Sequence, residues 1–149
     1  MELTEPKDIR ATDIIGEVIN LRETGGISED ALIGYETAAH LQHFGRDFEC
    51  PIIFRETEPL NSDAVVQIGD GRTTVRCTSP LQTFCDILNR DEYVTGSQYE
   101  ICCNILEHYR YPPNNLGGIE VLYNLALQQV PKKILDDNWE ELQTFYDYD

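Results

Sequence analysis

The stretch "VRCTSPLQTFCDIL", residues 75 to 88, requires a strand to end and a helix to begin within a few positions. Residues up to Cys77 close a β-branched run. Ser79 then supplies an N-cap hydroxyl, Pro80 occupies the first helical position, and Gln82 is the third-position partner of a capping box. Leu81, Phe84, Cys85 and Leu88 follow at i, i+3, i+4 and i+7, a core-facing stripe. Such a junction needs a sheet to receive the strand and a core to receive the helix. The same stretch holds two thiols and a carboxylate, which raises the question of a nucleophile. A reactive thiol needs a cationic or helix N-terminal environment, and the neighbours here are apolar or acidic. Cys85 is therefore expected in the core as a small hydrophobe, with Asp86 on a different face.

The flanking segments extend the pattern. "AVVQIGDGRTTVRC" reads as a hairpin about Gly69-Asp70-Gly71, whose single acid marks a turn rather than a calcium or phosphate loop. "CPIIFRE" reads as a buried strand begun at Pro51. A helix is expected over "ATDIIGEVINL", with Ile14, Ile15, Val18 and Leu21 on one face and the "TGG" at 24–26 as its stop. A second is predicted from Ser28 as N-cap, stapled by Ile27 and Leu32. Its stripe would be Ala31, Leu32, Tyr35, Ala38, Ala39 and Gln42, widened by Leu41 and Phe44 and closed by Gly45.

Downstream, Ser97 and Glu100 form another capping box, ahead of an apolar surface that includes Tyr99, Ile101, Cys102, Cys103, Ile105, Leu106 and Tyr109. "YPPNN" breaks that helix, and "LGGIEVLYNLALQQV" is a further one. In the closing segment, "KKILDDNWEELQTFYDYD", Asn138 is predicted to cap onto Glu141 while Trp139, Leu142, Phe145 and Tyr146 line one side. No repeat or linker divides the chain. The expectation is a single α+β domain over residues 1–149: a small mixed or antiparallel sheet from 51–55, 64–68 and 72–77, packed by four or five helices.

Charge limits the partners. Eleven Lys and Arg face 27 Asp and Glu, a net −16, and apart from Lys132-Lys133 the bases are scattered singly. Such a surface repels phosphate backbones and anionic lipid, so no direct nucleic-acid or membrane partner is expected. Acidity also serves solubility alone. The sharper expectation is a basic protein partner, a toxin or a nucleic-acid-handling protein. No apolar run is long enough for a bilayer, and "MELTEPKDIR" lacks the build of a signal peptide. Five cysteines is an odd number, and the adjacent Cys102 and Cys103 would point about 100° apart on a helix. Reduced thiols in a cytoplasmic protein are the expectation.

Catalytic constellations are thin. His40 and His43, with Glu36 one turn earlier, lack the third ligand of a helical zinc motif. His108 with Cys102 or Cys103 is the one base–nucleophile pairing on offer, the basis of an alternative reading as a small Cys/His enzyme. No nucleophile elbow, phosphate cradle or dinucleotide fingerprint accompanies it. No catalytic, cofactor-binding or metal residue is expected, and no cofactor.

Two segments carry a resemblance. "ALIGYETAAHLQHFG", followed by "CPIIFRE", resembles a helix and strand of AbiEi-type antitoxins through Tyr35, Thr37, Ala38, Ala39 and Leu41. "GRTTVRCTSPLQTFCDIL" is similar to that family's strand, Ser-Pro and acid-bearing helix through Val75, Ser79, Pro80, Leu81, Phe84, Asp86 and Leu88, and "SQYEICCNILEHY" places Glu100 at an acidic position. The resemblance covers residues 28–110. It implies a non-enzymatic antitoxin domain set against a nucleotidyltransferase-like toxin, in a toxin–antitoxin or phage-defence setting. The 27 residues before Ser28 are too few for the family's usual N-terminal winged helix, so DNA autoregulation is not expected. The alternative is a phage or mobile-element inhibitor of host nucleic-acid machinery, of anti-CRISPR or anti-restriction type, whose carboxylates mimic DNA phosphates.

The C-terminal segment is the candidate contact: Trp139, Phe145, Tyr146 and Tyr148 as aromatic anchors among Asp136, Asp137, Glu140, Glu141, Asp147 and Asp149. A second reading stands beside it, in which Trp139, Leu142 and Phe145 dock the last helix and leave a solvated acidic face.

Overall fold

Six α-helices and one four-stranded mixed sheet make up the described residues of the computed structural model, an α+β fold. Those residues are 11–45, 52–59, 61–69, 74–110 and 119–147. In chain order the elements are α1 (Ala11–Glu23), β1 (Leu32–Ile33), α2 (Tyr35–Leu41), β2 (Phe54–Arg55), β3 (Val65–Ile68), β4 (Val75–Thr78), α3 (Pro80–Asp91), α4 (Gly96–Arg110), α5 (Ile119–Ala126) and α6 (Lys132–Asp147). Two compact units share them, Met1–Thr83 and Phe84–Asp149, with the boundary inside α3.

In the first unit the strand order is β2-β1-β4-β3. The predicted hairpin is present, β3 and β4 pairing antiparallel from Val65 opposite Thr78 to Ile68 opposite Val75. Gly69 begins its turn at φ 124, a left-handed value that suits glycine, while Asp70 and Gly71 lie outside the described residues. Ile14 and Val18 of α1, Ile33, Ala38 and Leu41, and Val75 and Cys77 form one buried cluster, with Val66 and Ile68 packed against it. Alternation along β3 sends those two side chains to the same face.

The helix expected from Ser28 is only half there. Leu32 and Ile33 are a central strand, parallel to β4 and antiparallel to β2, and the helix starts at Tyr35. Ser28 bonds its hydroxyl to Asp30 within a turn instead of capping. Local spacing suited a helix. Burial of both apolar residues between two strands, with glycine next, outweighs it. A Cβ at Gly34 would meet Arg55 Cβ at 3.2 Å, so the β1–α2 turn and β2 approach closely there. Gly34 N–H donates to Ile53 O, and Ile53 N–H donates to the Thr37 hydroxyl, which clips this turn to β2. Of the strand expected over 51–55, Phe54 and Arg55 pair, and Pro51 lies outside the described residues.

The strand-to-helix junction forms as the sequence requires. Gln82 N–H donates to Ser79 Oγ at 3.2 Å, and the Thr78 and Thr83 hydroxyls bond at 2.7 Å. Gln42, expected on an apolar stripe, instead donates its amide to Thr78 O and Ala38 O. Burial on α3 is broader than a stripe. Every residue from Gln82 to Leu88 is buried, Asp86 included, while Leu81 is only partly so.

In the second unit α4 packs against α5 and α6. Its buried residues are Ile101, Cys102, Cys103, Ile105 and Leu106. The α4 start lies at Gly96, φ 58, and Thr95 O accepts from Gln98 and Tyr99, so Ser97 falls inside the first turn rather than at the cap. Helix α6 also begins earlier than expected. It is continuous from Lys132, and Asn138 lies mid-helix, 2 % exposed, instead of capping onto Glu141. Leu135, Asn138, Trp139 and Leu142, at i, i+3, i+4 and i+7, are the buried stripe. Burial of each apolar member contributes roughly 2 kcal/mol. The Lys132–Asp136 and Lys133–Asp137 pairs are solvated and screened, so packing holds this helix in place.

Candidate partner-binding face

Trp139 faces inward. It is 8 % exposed, with its ring edge-on to Phe84 at 6.4 Å and to Tyr123 at 5.0 Å. An indole so placed docks the helix and does not present a surface anchor. Asp137, Glu140 and Glu141 are exposed on the same helix, and Asp136 is partly so. Asp147 belongs to α6, but its side chain, like those of Phe145 and Tyr146, lies outside the described ones; so do Tyr148 and Asp149.

The two lysines of α6 do not oppose this charge freely. Lys132 is bonded to Asp136, and Lys133 Nζ donates to Asp137 at 2.8 Å, both at i,i+4 spacing. Each carboxylate raises the pKa of its lysine, and the Lys132 ammonium, with help from the Tyr123 hydroxyl, holds Asp136 below the usual carboxylate range. Other bases are tied down as well. Arg22 donates to Thr74 O, Arg55 to Thr57, Arg76 to Glu58 and Asp30 O, and Arg90 to Asp91.

Three tyrosines complete the face: Tyr93 and Tyr123, which local spacing does not single out, and Tyr99, expected only on the apolar surface of its helix. Tyr93, in the turn between α3 and α4, is 48 % exposed and donates its hydroxyl to Glu141 at 2.5 Å. The Glu141 carboxylate pushes that phenol above its ordinary value. Tyr99 donates to Glu141 O at 3.1 Å and lines an open concavity of about 500 Å³ with Asp137, Glu140 and Glu141. Burial, then Cys103 and Glu141, push the Tyr99 phenol up to about 12, so it stays protonated as a donor. Tyr123 bonds to Asp136, which raises its phenol too. Phenol–carboxylate pairs of this kind present flat apolar area beside negative charge, which suits guanidinium or ammonium groups. The available signal was an exposed aromatic in the polar turn "DEYVTGS".

The Cys and His candidates have a different character. Burial pushes the thiols of Cys77 and Cys85 up to about 12 and that of Cys103 up to about 11. Thiols this high are protonated at neutral pH and present no thiolate. Burial lowers the pKa of His108, whose ring lies edge-on to Tyr109 at 4.9 Å. His43, at φ 68, is the left-handed residue that follows the end of α2, and His40 is in that helix's last turn. Among the described residues no three His, Cys, Asp or Glu side chains stand together as a metal-holding group.

Comparison with models of protein families, with curated proteins and with solved structures finds no match for this chain.

Proposed function

We propose that this protein is a non-catalytic acidic regulator that binds and neutralises a basic protein partner, in the manner of an antitoxin. The observation that carries the reading is the outward side of α6. Asp137, Glu140 and Glu141 lie beside the exposed Tyr93 and the part-buried Tyr99, while Lys132 and Lys133 are already paired within the helix. Carboxylates steer an oppositely charged partner and aromatic rings supply contact area at small entropic cost. The net −16 adds long-range attraction for a basic surface. No described helix is long and apolar enough to cross a membrane. A cytoplasmic setting and a toxin as target belong to this proposal, and the AbiEi-like segments support them.

The test is affinity capture from the native cell with the wild-type chain and with a triple variant, Asp137→Asn, Glu140→Gln and Glu141→Gln. The expected result is one basic protein retained by the first and lost by the second. Equal retention by both would remove this face from the function. The identity of the retained protein separates an antitoxin from an inhibitor of nucleic-acid enzymes.

A further inference from the structure

The turn that displays Tyr93 is held from below by a single side chain. Asn138 Nδ2 donates to Glu92 O at 2.9 Å, and Asn138 Oδ1 accepts from Val94 N–H at 3.0 Å. The peptide groups on both sides of Tyr93 are thus gripped by one amide. A further bond from Nδ2 to Ile134 O at 2.7 Å sets the amide's orientation, since a flipped amide would face two carbonyls with its oxygen. Asn138 is 2 % exposed, and its bond to Val94 N–H is buried while those to Glu92 O and Ile134 O are part-buried. Glu141, three residues further along α6, takes the Tyr93 hydroxyl on the outside. One turn of helix therefore holds Tyr93 at its backbone and at its ring. Glu92 is kept at φ 63, a left-handed conformation that a residue with a Cβ adopts at a cost.

We infer that Asn138 is a positioning residue for the partner-binding face: it fixes the 92–94 backbone so that Tyr93 stands preorganised against Glu141 as the anchor of that face. This rests on the reading of the face as a binding surface. A ring already ordered in the free protein loses less freedom on association. Aspartate at 138 has the shape but lacks both donors, and leucine has the volume but no polar atom, so neither reproduces the grip.

Asn138→Ser, alone and combined with Glu92→Gly, tests the assignment. Glycine accepts the left-handed turn without strain, so the double variant keeps the chain folded if the single one does not. Two readouts use the free protein: the nuclear Overhauser contact between the Tyr93 ring and the Glu141 methylenes, and hydrogen exchange at Val94 N–H. The third is affinity for the protein retained in the capture experiment, with Tyr93→Ala as reference. In the folded double variant the Overhauser contact should vanish, Val94 should exchange at least roughly tenfold faster, and affinity should fall by about tenfold. A retained Tyr93–Glu141 contact would overturn the proposal. So would its loss with unchanged affinity where Tyr93→Ala weakens binding. If Tyr93→Ala itself leaves capture unchanged, the binding reading falls, and the Overhauser contact still decides whether Asn138 holds the ring.

Discussion

Asn138 and Val94, 44 positions apart, are joined by a backbone-to-side-chain hydrogen bond of 3.0 Å in the interior of the second unit. This bond couples a turn to the middle of a helix, and its loss has a stability consequence separate from any binding. Asn138→Ala leaves the Val94 N–H without its partner in a buried site and removes the side-chain donor to the Glu92 carbonyl in a part-buried one. Stability should fall by about 1–3 kcal/mol, the range for one unsatisfied buried group. Urea unfolding followed by circular dichroism measures it, and a loss below about 0.5 kcal/mol would show that the turn holds without the amide.

Alkali should unfold the protein earlier than its acidity alone suggests. The thiols of Cys77 and Cys85 are pushed from 9.0 to about 12 in the folded chain, and the phenols of Tyr93, Tyr99 and Tyr123 are also raised. Unfolded, these groups release their protons first, so the unfolded state binds fewer protons between the two values. Stability is fully present below pH 9 and declines as pH rises towards 12. Urea midpoints taken from pH 8 upward should fall steadily. A flat profile to pH 11 would contradict the burial of these thiols.

Cys77, Cys85, Cys102 and Cys103 are all buried. Under native conditions an aromatic disulfide reagent should leave these four unmodified while it labels all of them in denaturant, as mass spectrometry of the peptides will show. Cys85→Ala should cost on the order of 1 kcal/mol and leave partner binding intact. Rapid native labelling at Cys85 would instead place a reactive thiol on α3.

Lys133 offers a prediction that separates stability from association. Its pair with Asp137 is exposed, with side-chain accessibilities of 86 % and 53 %. Lys133→Gln should leave the urea midpoint close to that of wild type, since a solvated pair is screened. With Asp137 unpaired, the face becomes more negative, so association with a basic partner should quicken at low salt and converge on wild type at high salt. Stopped-flow association across a salt series is the measurement. Slower association for this variant would mean that Lys133 itself touches the partner.

Whatever depends on neighbours a few residues apart was legible in the chain itself. The Ser79 cap, the Pro80 start, the β3–β4 hairpin about Gly69 and the buried Cys85 are local decisions, made by hydroxyl geometry, a fixed φ and helical spacing. The acid-rich outer side of α6 could be read for the same reason. What the tertiary structure alone decided concerns groups far apart in sequence. Leu32 and Ile33 have helix-compatible spacing but become a strand because β2 and β4 pair with them from 23 and 44 residues away by the register Leu32–Arg55 on one side and Ile33–Cys77 on the other. Asn138 looked like a cap because it is polar beside an apolar run, yet the peptide groups that satisfy its amide belong to residues 92 and 94. Trp139 had the composition of an interface anchor and turned inward because Phe84 and Tyr123 converge on its ring. Tyr93 became part of the face only when the turn carrying it was set beside Glu141, 48 positions along the chain. Backbone pairing and buried amides take their partners from wherever the fold brings them, and sequence spacing carries no record of that.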